Sequence, residues 1–151
     1  MTKKVTAGCA QICAGLKSQI ALGNIDAKRD WGHARDYVDG MWRILQHSEP
    51  DDFVLATGLT TSVRDFTQKA FAVAGIFLKW EGSGASEIGR DAESGLVQVR
   101  IDPAYYRPTE VDFLLGDASK AREKLGWVPK YELDKLIEEM VLSDLGRLVS
   151  A

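Results

Sequence analysis

Apolar residues recur along this chain with helical and then alternating spacing, and the changes of period divide it into helices and short strands. Val5, Cys9, Ile12, Cys13 and Leu16 fall on one helical face, which predicts a first helix with both cysteines turned toward a core. Residues 21–24 read as a short extended segment. Across residues 33–47, Val38, Met41, Trp42 and Leu45 keep the spacing of an amphipathic helix that ends before Glu49-Pro50-Asp51. A strand is predicted over 53–57. Ser62 and Asp65 have the form of a capping box, and Val63, Phe66, Ala70 and Val73 carry one apolar face to a stop at Gly75. Another strand, 76–80, follows. Residues 82–95 are rich in glycine, serine and charge and lack a period, so they predict a surface loop. Val97, Val99 and Ile101 alternate with Gln98 and Arg100, the pattern of a half-buried strand over 96–101. Asp117 is placed to cap a short helix that runs to Leu125 before Gly126, and Leu133, Leu136, Ile137, Met140 and Val141 mark a last amphipathic helix. The class is α/β, helices with a few short strands, without an internal repeat or an interdomain linker.

Composition narrows the partners. A chain of 151 residues with 45% hydrophobic content suits one domain with a core of useful size. With 19 basic residues scattered among 22 acidic ones and a net charge of -3, the chain lacks the basic footprint of nucleic-acid or membrane-surface binding. No apolar run approaches the roughly 18 residues of a membrane span, and M-T-K-K-V-T-A-G-C-A is too broken to read as a signal peptide, so the expected location is cytoplasmic. Neither His33 nor His47 has a ligand-like spacing to Cys9 or Cys13. The cysteines are therefore expected to be structural thiols, with no metal site.

Candidate chemistry centres on two arginines. Arg29, before Asp30-Trp31-Gly32, and Arg107, before Pro108, sit where the periodicity lapses. Planar guanidinium groups bind the oxygens of a diphosphate with paired, charge-assisted hydrogen bonds. On residue type alone, solvated surface arginines with at most weak ion pairs are the better explanation. Other patterns read as structural. Tyr131-x-x-x-Lys135 matches a proton-transfer signature but stands at the start of the last helix. Gly82-Ser83-Gly84 lacks the third glycine and following helix of a phosphate-binding turn. His33 suits a helix start rather than a general base, and Trp31 and Trp42 suit a core.

Five segments carry a family resemblance: T-K-K-V-T at 2–6, L-G-N-I-D-A-K-R-D-W-G-H-A-R-D-Y-V at 22–38, D-F-V-L-A-T-G at 52–58, D-P-A-Y-Y-R-P-T-E-V at 102–111, and L-G-D-A-S-K-A-R-E-K-L-G-W-V-P at 115–129. The chain resembles the GDP-mannose 4,6-dehydratases, extended short-chain dehydrogenase/reductases. The second and fourth segments are specific to that subfamily, whereas K-L-G-W-x-P recurs across nucleotide-sugar enzymes.

The resemblance implies that residues 1–151 form a C-terminal nucleotide-sugar-binding portion of that fold, lacking most of the Rossmann domain. Arg29 and Arg107 would hold the diphosphate of GDP-mannose, and Glu110 the ribose hydroxyls. Lys4 and the Leu22, Gly23, Asn24 segment would lie near guanine and ribose. Lys3 stands where the family usually has arginine. The complete family enzyme converts GDP-mannose to GDP-4-dehydro-6-deoxy-mannose and water with bound NADP. Its glycine fingerprint and catalytic tyrosine and lysine belong to a segment before the equivalent of Met1. No catalytic, cofactor-binding or metal-binding residue is therefore expected in this chain, which alone should be inactive and bind no NADP. A non-catalytic GDP-sugar binder and a structural or oligomerisation module are the alternatives. In the family, the helix after Gly32 and the strand 53–57 pack on the cofactor domain, so the resemblance also implies exposed apolar faces and a homo-oligomer or a complex with an N-terminal part.

Overall fold

The structure, a computed structural model, describes residues 1–106, 111 and 113–149. The elements run α1 (Thr2–Cys13), β1 (Ile20–Leu22), β2 (Lys28–Arg29), α2 (Ala34–Gln46), β3 (Thr61–Ser62), α3 (Val63–Val73), β4 (Leu78–Glu81), β5 (Ile88–Asp91), β6 (Val97–Ile101), α4 (Ser119–Leu125) and α5 (Leu133–Val149), with single 3-10 turns at Gly84–Ser86 and Pro103–Tyr105. This is an α/β arrangement, as the periodicity predicts.

The main sheet has the order β1-β6-β5-β4. β1 runs parallel to β6, with Ile20 opposite Val99 and Leu22 opposite Ile101, while β5 is antiparallel to both of its neighbours. Helices α1, α3 and α5 cover its apolar side. Val5 and Cys9 from α1, Phe66, Ala70 and Phe71 from α3, and Ile137 and Val141 from α5 close on Ile20, Leu22 and Val99 as one core. Helix α3 starts as predicted: the Ser62 hydroxyl accepts from the Asp65 amide at 3.0 Å and donates to the Asp65 carboxylate at 2.6 Å. Gly126 adopts the left-handed conformation that ends α4, and the Asp117 carboxylate accepts from the Ser119 amide at 2.9 Å.

A smaller core gathers Ala56, Ala118, Ala121 and Trp127 beneath α2 and α4. Its polar centre is the buried Asp36. That residue's carbonyl accepts from the Trp127 indole at 2.7 Å, and its carboxylate accepts from the amides of Lys130 and Tyr131 at 3.0 and 3.1 Å. The carboxylate anchors the connection between α4 and α5 to the first turn of α2.

Several expectations are corrected. Cys13 is exposed, because α1 ends there and Gly15, at φ +70°, turns the chain outward so that Leu16 lies beyond the helix in solvent. Residues 53–57 form no strand: Asp30 holds this extended segment instead, accepting from the Thr57 amide and hydroxyl and from the Gly58 amide. Residues 82–95 are not simply a loop but contain β5, the centre of a three-stranded antiparallel run. Gly89, which erases the strand period in the sequence, is opposite Trp80. A Cβ at Gly89 would stand 3.2 Å from the indole ring. Trp42 is no core residue: the apolar face of α2, namely Val38, Met41, Trp42 and Leu45, is 57–79% exposed. Exposed apolar residues on this helix are what the resemblance implies.

The two thiols should behave oppositely. Burial, with the neighbouring Cys13 adding to it, pushes the Cys9 thiol up to about 12. An aromatic disulfide reagent should titrate one thiol in the native chain and the second only on unfolding. Because the folded value lies above the ordinary thiol value, this contribution to stability is complete below the ordinary value and is lost as pH rises toward 12. Equal native reactivity of both cysteines would contradict this placement.

Candidate functional site

Three parts of the chain meet where β1 and β6 end. β1 delivers Gly23 and Asn24 at its carboxyl end. The Asn24 carboxamide oxygen accepts from the amides of Asp26 and Ala27, at 3.0 and 3.2 Å, and turns the chain toward β2. Arg29 sits on β2, which pairs antiparallel with β3. Backbone bonds from the Val63 amide to the Ala27 carbonyl and from the Arg64 amide to the Ile25 carbonyl tie this turn to the start of α3. The Arg64 side chain braces it, bonded to Asp26 on one side and Glu87 on the other while lying over the Trp80 ring. The bond to Glu87, the leading cause, with Asp26 adding to it, holds the guanidinium well above its ordinary value.

At the end of β6 the Asp102 amide donates to the Leu22 carbonyl at 2.8 Å, and the Asp102 carboxylate accepts from the Ala104 amide at 3.0 Å. These bonds set the Pro103–Tyr105 turn directly against Gly23. No side chain fits between them: a Cβ on Gly23 would stand 2.5 Å from the Tyr105 carbonyl oxygen and 2.8 Å from its carbon. From the other side, the first turn of α1 contributes Lys4, whose ammonium lies 3.3 Å from the centre of the Tyr105 ring.

Between these parts lies a cleft of about 440 Å³. Lys4, Gly23, Asn24 and Arg29 line it together with Met1, Val63, Ala104, Tyr105 and Tyr106. Four residues singled out in the sequence thus share one concavity although they come from three elements. Arg29 also donates to the Lys28 carbonyl at 2.8 Å. Leu22 does not line the cleft; it is fully buried in the main core. Arg107 and Glu110 lie outside the described residues. Tyr105 and Tyr106 were not singled out, although they stand inside the quoted D-P-A-Y-Y-R-P-T-E-V segment. The available signal was two aromatic residues directly after an Asp-Pro turn start.

The remaining patterns have structural partners. Lys3 leaves α1 on the side away from Lys4 and pairs with the buried Asp144 of α5, which also accepts from the Thr6 hydroxyl at 2.8 Å. Tyr131 stacks on His33 at 4.3 Å between ring centres, and Lys135 pairs with Glu138 at 2.5 Å. These two do not form a proton-transfer pair. His33 caps α2 by accepting from the Arg35 amide at 3.1 Å through Nδ1, and its Nε2 lies 3.2 Å from Glu139.

Comparison with known proteins places this geometry in context. Residues 1–140 match the family model described as GDP-mannose 4,6 dehydratase. The GDP-mannose 4,6 dehydratase of Homo sapiens is 51% identical over 145 residues, covering 96% of this chain and 39% of that protein. The Sinorhizobium fredii GDP-mannose 4,6-dehydratase is 51% identical over 148 residues, with 98% and 42% covered. The chain therefore spans about two fifths of the length of these curated relatives. Among solved structures, RMD from Pseudomonas aeruginosa complexed with NADPH matches with a TM-score of 0.76 at 16% identity, over 97% of this chain and 42% of that one. UDP-glucose-4-epimerase from Stenotrophomonas maltophila with bound NAD and formylated UDP-arabinopyranose matches with a TM-score of 0.69 at 21% identity, over 95% and 40%. These likenesses show the fold, the α/β arrangement expected for part of an extended short-chain dehydrogenase.

The close contact at Gly23 is directly testable. Gly23→Ala should lower stability to urea by roughly 1–3 kcal/mol, the usual cost of overpacking, because backbone rather than a flexible side chain must give way. A variant as stable as the parent would show that the turn is not seated against β1.

Proposed function

Since the chain belongs to the GDP-mannose 4,6-dehydratase family, we propose that the cleft at the ends of β1 and β6 holds the nucleotide sugar GDP-mannose. Arg29 and Arg107 grip the diphosphate, Glu110 accepts from the ribose hydroxyls, and Lys4 with Gly23 and Asn24 faces guanine and ribose, Leu22 serving only to seat that segment from the core. One observation carries the reading: Lys4, Gly23, Asn24 and Arg29 line a single cleft of about 440 Å³, within the size range of small-molecule sites. The roles of Arg107 and Glu110 rest on the R-P-T-E-V motif, which follows directly on Tyr106 at the cleft.

The contribution of these residues is to bind and orient. A guanidinium paired with phosphate oxygens fixes the diphosphate, and an orienting grip at one end of a substrate limits where its sugar can lie. The Gly82-Ser83-Gly84 turn does not fit a dinucleotide. Gly82 and Gly84 both have positive φ, but the 3-10 turn that begins at Gly84 leads into the strand β5 rather than a helix whose amino end could meet a pyrophosphate. The NADP of the complete family enzyme, and with it catalysis, is thus assigned to residues other than these, and residues 1–151 alone are inactive. The proposed setting is the cytoplasm, and among the described residues no helix is long and apolar enough to cross a membrane.

Calorimetry of the chain with GDP-mannose should show saturable binding. Arg29→Ala and Arg107→Ala should each weaken it roughly tenfold or more, the usual worth of a hydrogen bond to a charged group. Absence of heat, or an affinity in both variants unchanged from that of the parent chain, would remove the nucleotide-sugar reading. With NADP and GDP-mannose supplied together, no turnover is expected, and measurable product would overturn the assignment of catalysis elsewhere.

A second function is favoured by α2. Val38, Met41, Trp42 and Leu45 present an apolar face to solvent, and such faces are usually covered by association. The proposed cover is a second copy of the chain or an N-terminal part of the enzyme. Sedimentation velocity should show self-association of the chain that Trp42→Glu weakens. A monomer at every concentration would count against it.

A further inference from the structure

We infer that Tyr105 is the surface on which the nucleotide's base stacks, and that in the absence of ligand Lys4 occupies that surface and must leave it. This rests on the nucleotide-sugar reading of the cleft. The Lys4 ammonium lies 3.3 Å from the ring centre of Tyr105, about the separation at which a flat aromatic group would lie on the same ring. The position holds one or the other. Both residues line the cleft, so the contact between ammonium and ring stands in its wall, within reach of a ligand.

The ring is well placed to serve as a platform. Its backbone is locked by the 3-10 turn, by the Asp102 carboxylate on the Ala104 amide, and by Gly23, which leaves no space for retreat. The residue as a whole is half exposed, at 52%. Lys4, by contrast, is free to change partner. It stands on a long flexible stem in the first turn of α1, and among the described residues its ammonium pairs with no carboxylate. A cation held on an aromatic face keeps its full charge, so an entering anion or base carbonyl offers it a stronger partner than the ring does. Binding therefore exchanges one contact for two: the ammonium moves to ligand oxygen, and the vacated ring takes the base. Neighbouring Lys3 cannot substitute, because it is engaged with Asp144 on the other side of α1.

The exchange predicts different behaviour toward a nucleotide and toward a bare anion. Calorimetry of the whole chain with GDP and with inorganic pyrophosphate supplies the test. Tyr105→Leu should weaken GDP roughly tenfold, the typical worth of one stacked base, and leave pyrophosphate unchanged or tighter because Lys4 is released. Tyr105→Phe should keep GDP affinity within about twofold, since the ring face remains. Equal losses toward both ligands, or no loss of GDP affinity in Tyr105→Leu, would overturn the platform while leaving the nucleotide-sugar cleft intact. Failure of the parent chain to bind either ligand would overturn both. A readout independent of the leucine variant is the NMR shift of the Lys4 ε-methylene protons. Ring current should displace it in the free chain, and saturating GDP should restore it; a shift that persists at saturation rules the exchange out.

Discussion

The parallel pairing of β1 with β6 is the constraint on which the rest of the molecule depends. Parallel neighbours cannot be joined by a tight turn, so the chain between them must make a long excursion, and β2, α2, β3, α3, β4 and β5 are that excursion. Because Leu22 and Ile101, the last residues of their strands, are opposite each other, the two strands leave the sheet at the same end. The segments that follow, Gly23-Asn24 and Pro103–Tyr105, then lie side by side although they are distant in sequence. The bond from the Asp102 amide to the Leu22 carbonyl extends this pairing into the cleft wall. Open α/β sheets place ligand crevices beyond the carboxyl ends of their strands, where backbones diverge and leave room. Here the crevice forms for that reason, and helix α1, packed on β1 through Gly8 and Ile20, supplies its third side.

Charge is distributed so that the braces and the cleft do not compete for partners. Arg64 is committed twice, to Asp26 and Glu87, and rests on Trp80; its work is to hold the turn that carries Asn24 and Arg29. Lys3 and Lys4 are adjacent in α1 and therefore diverge around the helix axis. The first neutralises a buried carboxylate on α5, and the second reaches the cleft. A replacement of the family's usual arginine by lysine at position 3 is understandable in this setting. A single carboxylate oxygen needs one charged donor, and the forked geometry of arginine is not required for that contact.

What could be read from the sequence was local. The Ser62 and Asp65 cap, the glycine end of α4, and the faces of α3 and α5 follow from spacing within one or two turns, and they stand where the pattern puts them except for Val73, which is exposed in the last turn of α3. What escaped depended on a distant neighbour. β5 is hidden because Gly89 reads as a breaker until the Trp80 ring is laid against it. The 53–57 segment has the composition of a strand, but its polar groups are met by Asp30 and not by a partner strand. For the cleft, motif resemblance selected Lys4, Gly23, Asn24 and Arg29, which do line one concavity, and passed over Tyr105. Its position is fixed by contact with Gly23 from another part of the chain, information that no local window contains. Arg107 and Glu110, outside the described residues, stay with the motif that named them.

Helix α2 shows how far a hydrophobic period can be trusted. Its large apolar residues, Val38, Met41, Trp42 and Leu45, recur with helical spacing, and the ordinary inference is that they face the core. The opposite holds: the side packed inward carries Asp36 and Gly40, small or polar, with Leu55 and the Trp127 indole filling the space above the glycine. Gly40 lets α2 approach Trp127 closely, and Asp36 meets the indole and two amides that would otherwise be buried without partners. The helix is thus specified on both sides, by polar complementarity within the chain and by apolar area away from it. The period therefore identifies a face that is made to be buried without identifying what buries it. A tryptophan, a methionine, a leucine and a valine together in solvent are unusual for a surface helix, and this exposed face is the observation behind the association proposed for α2.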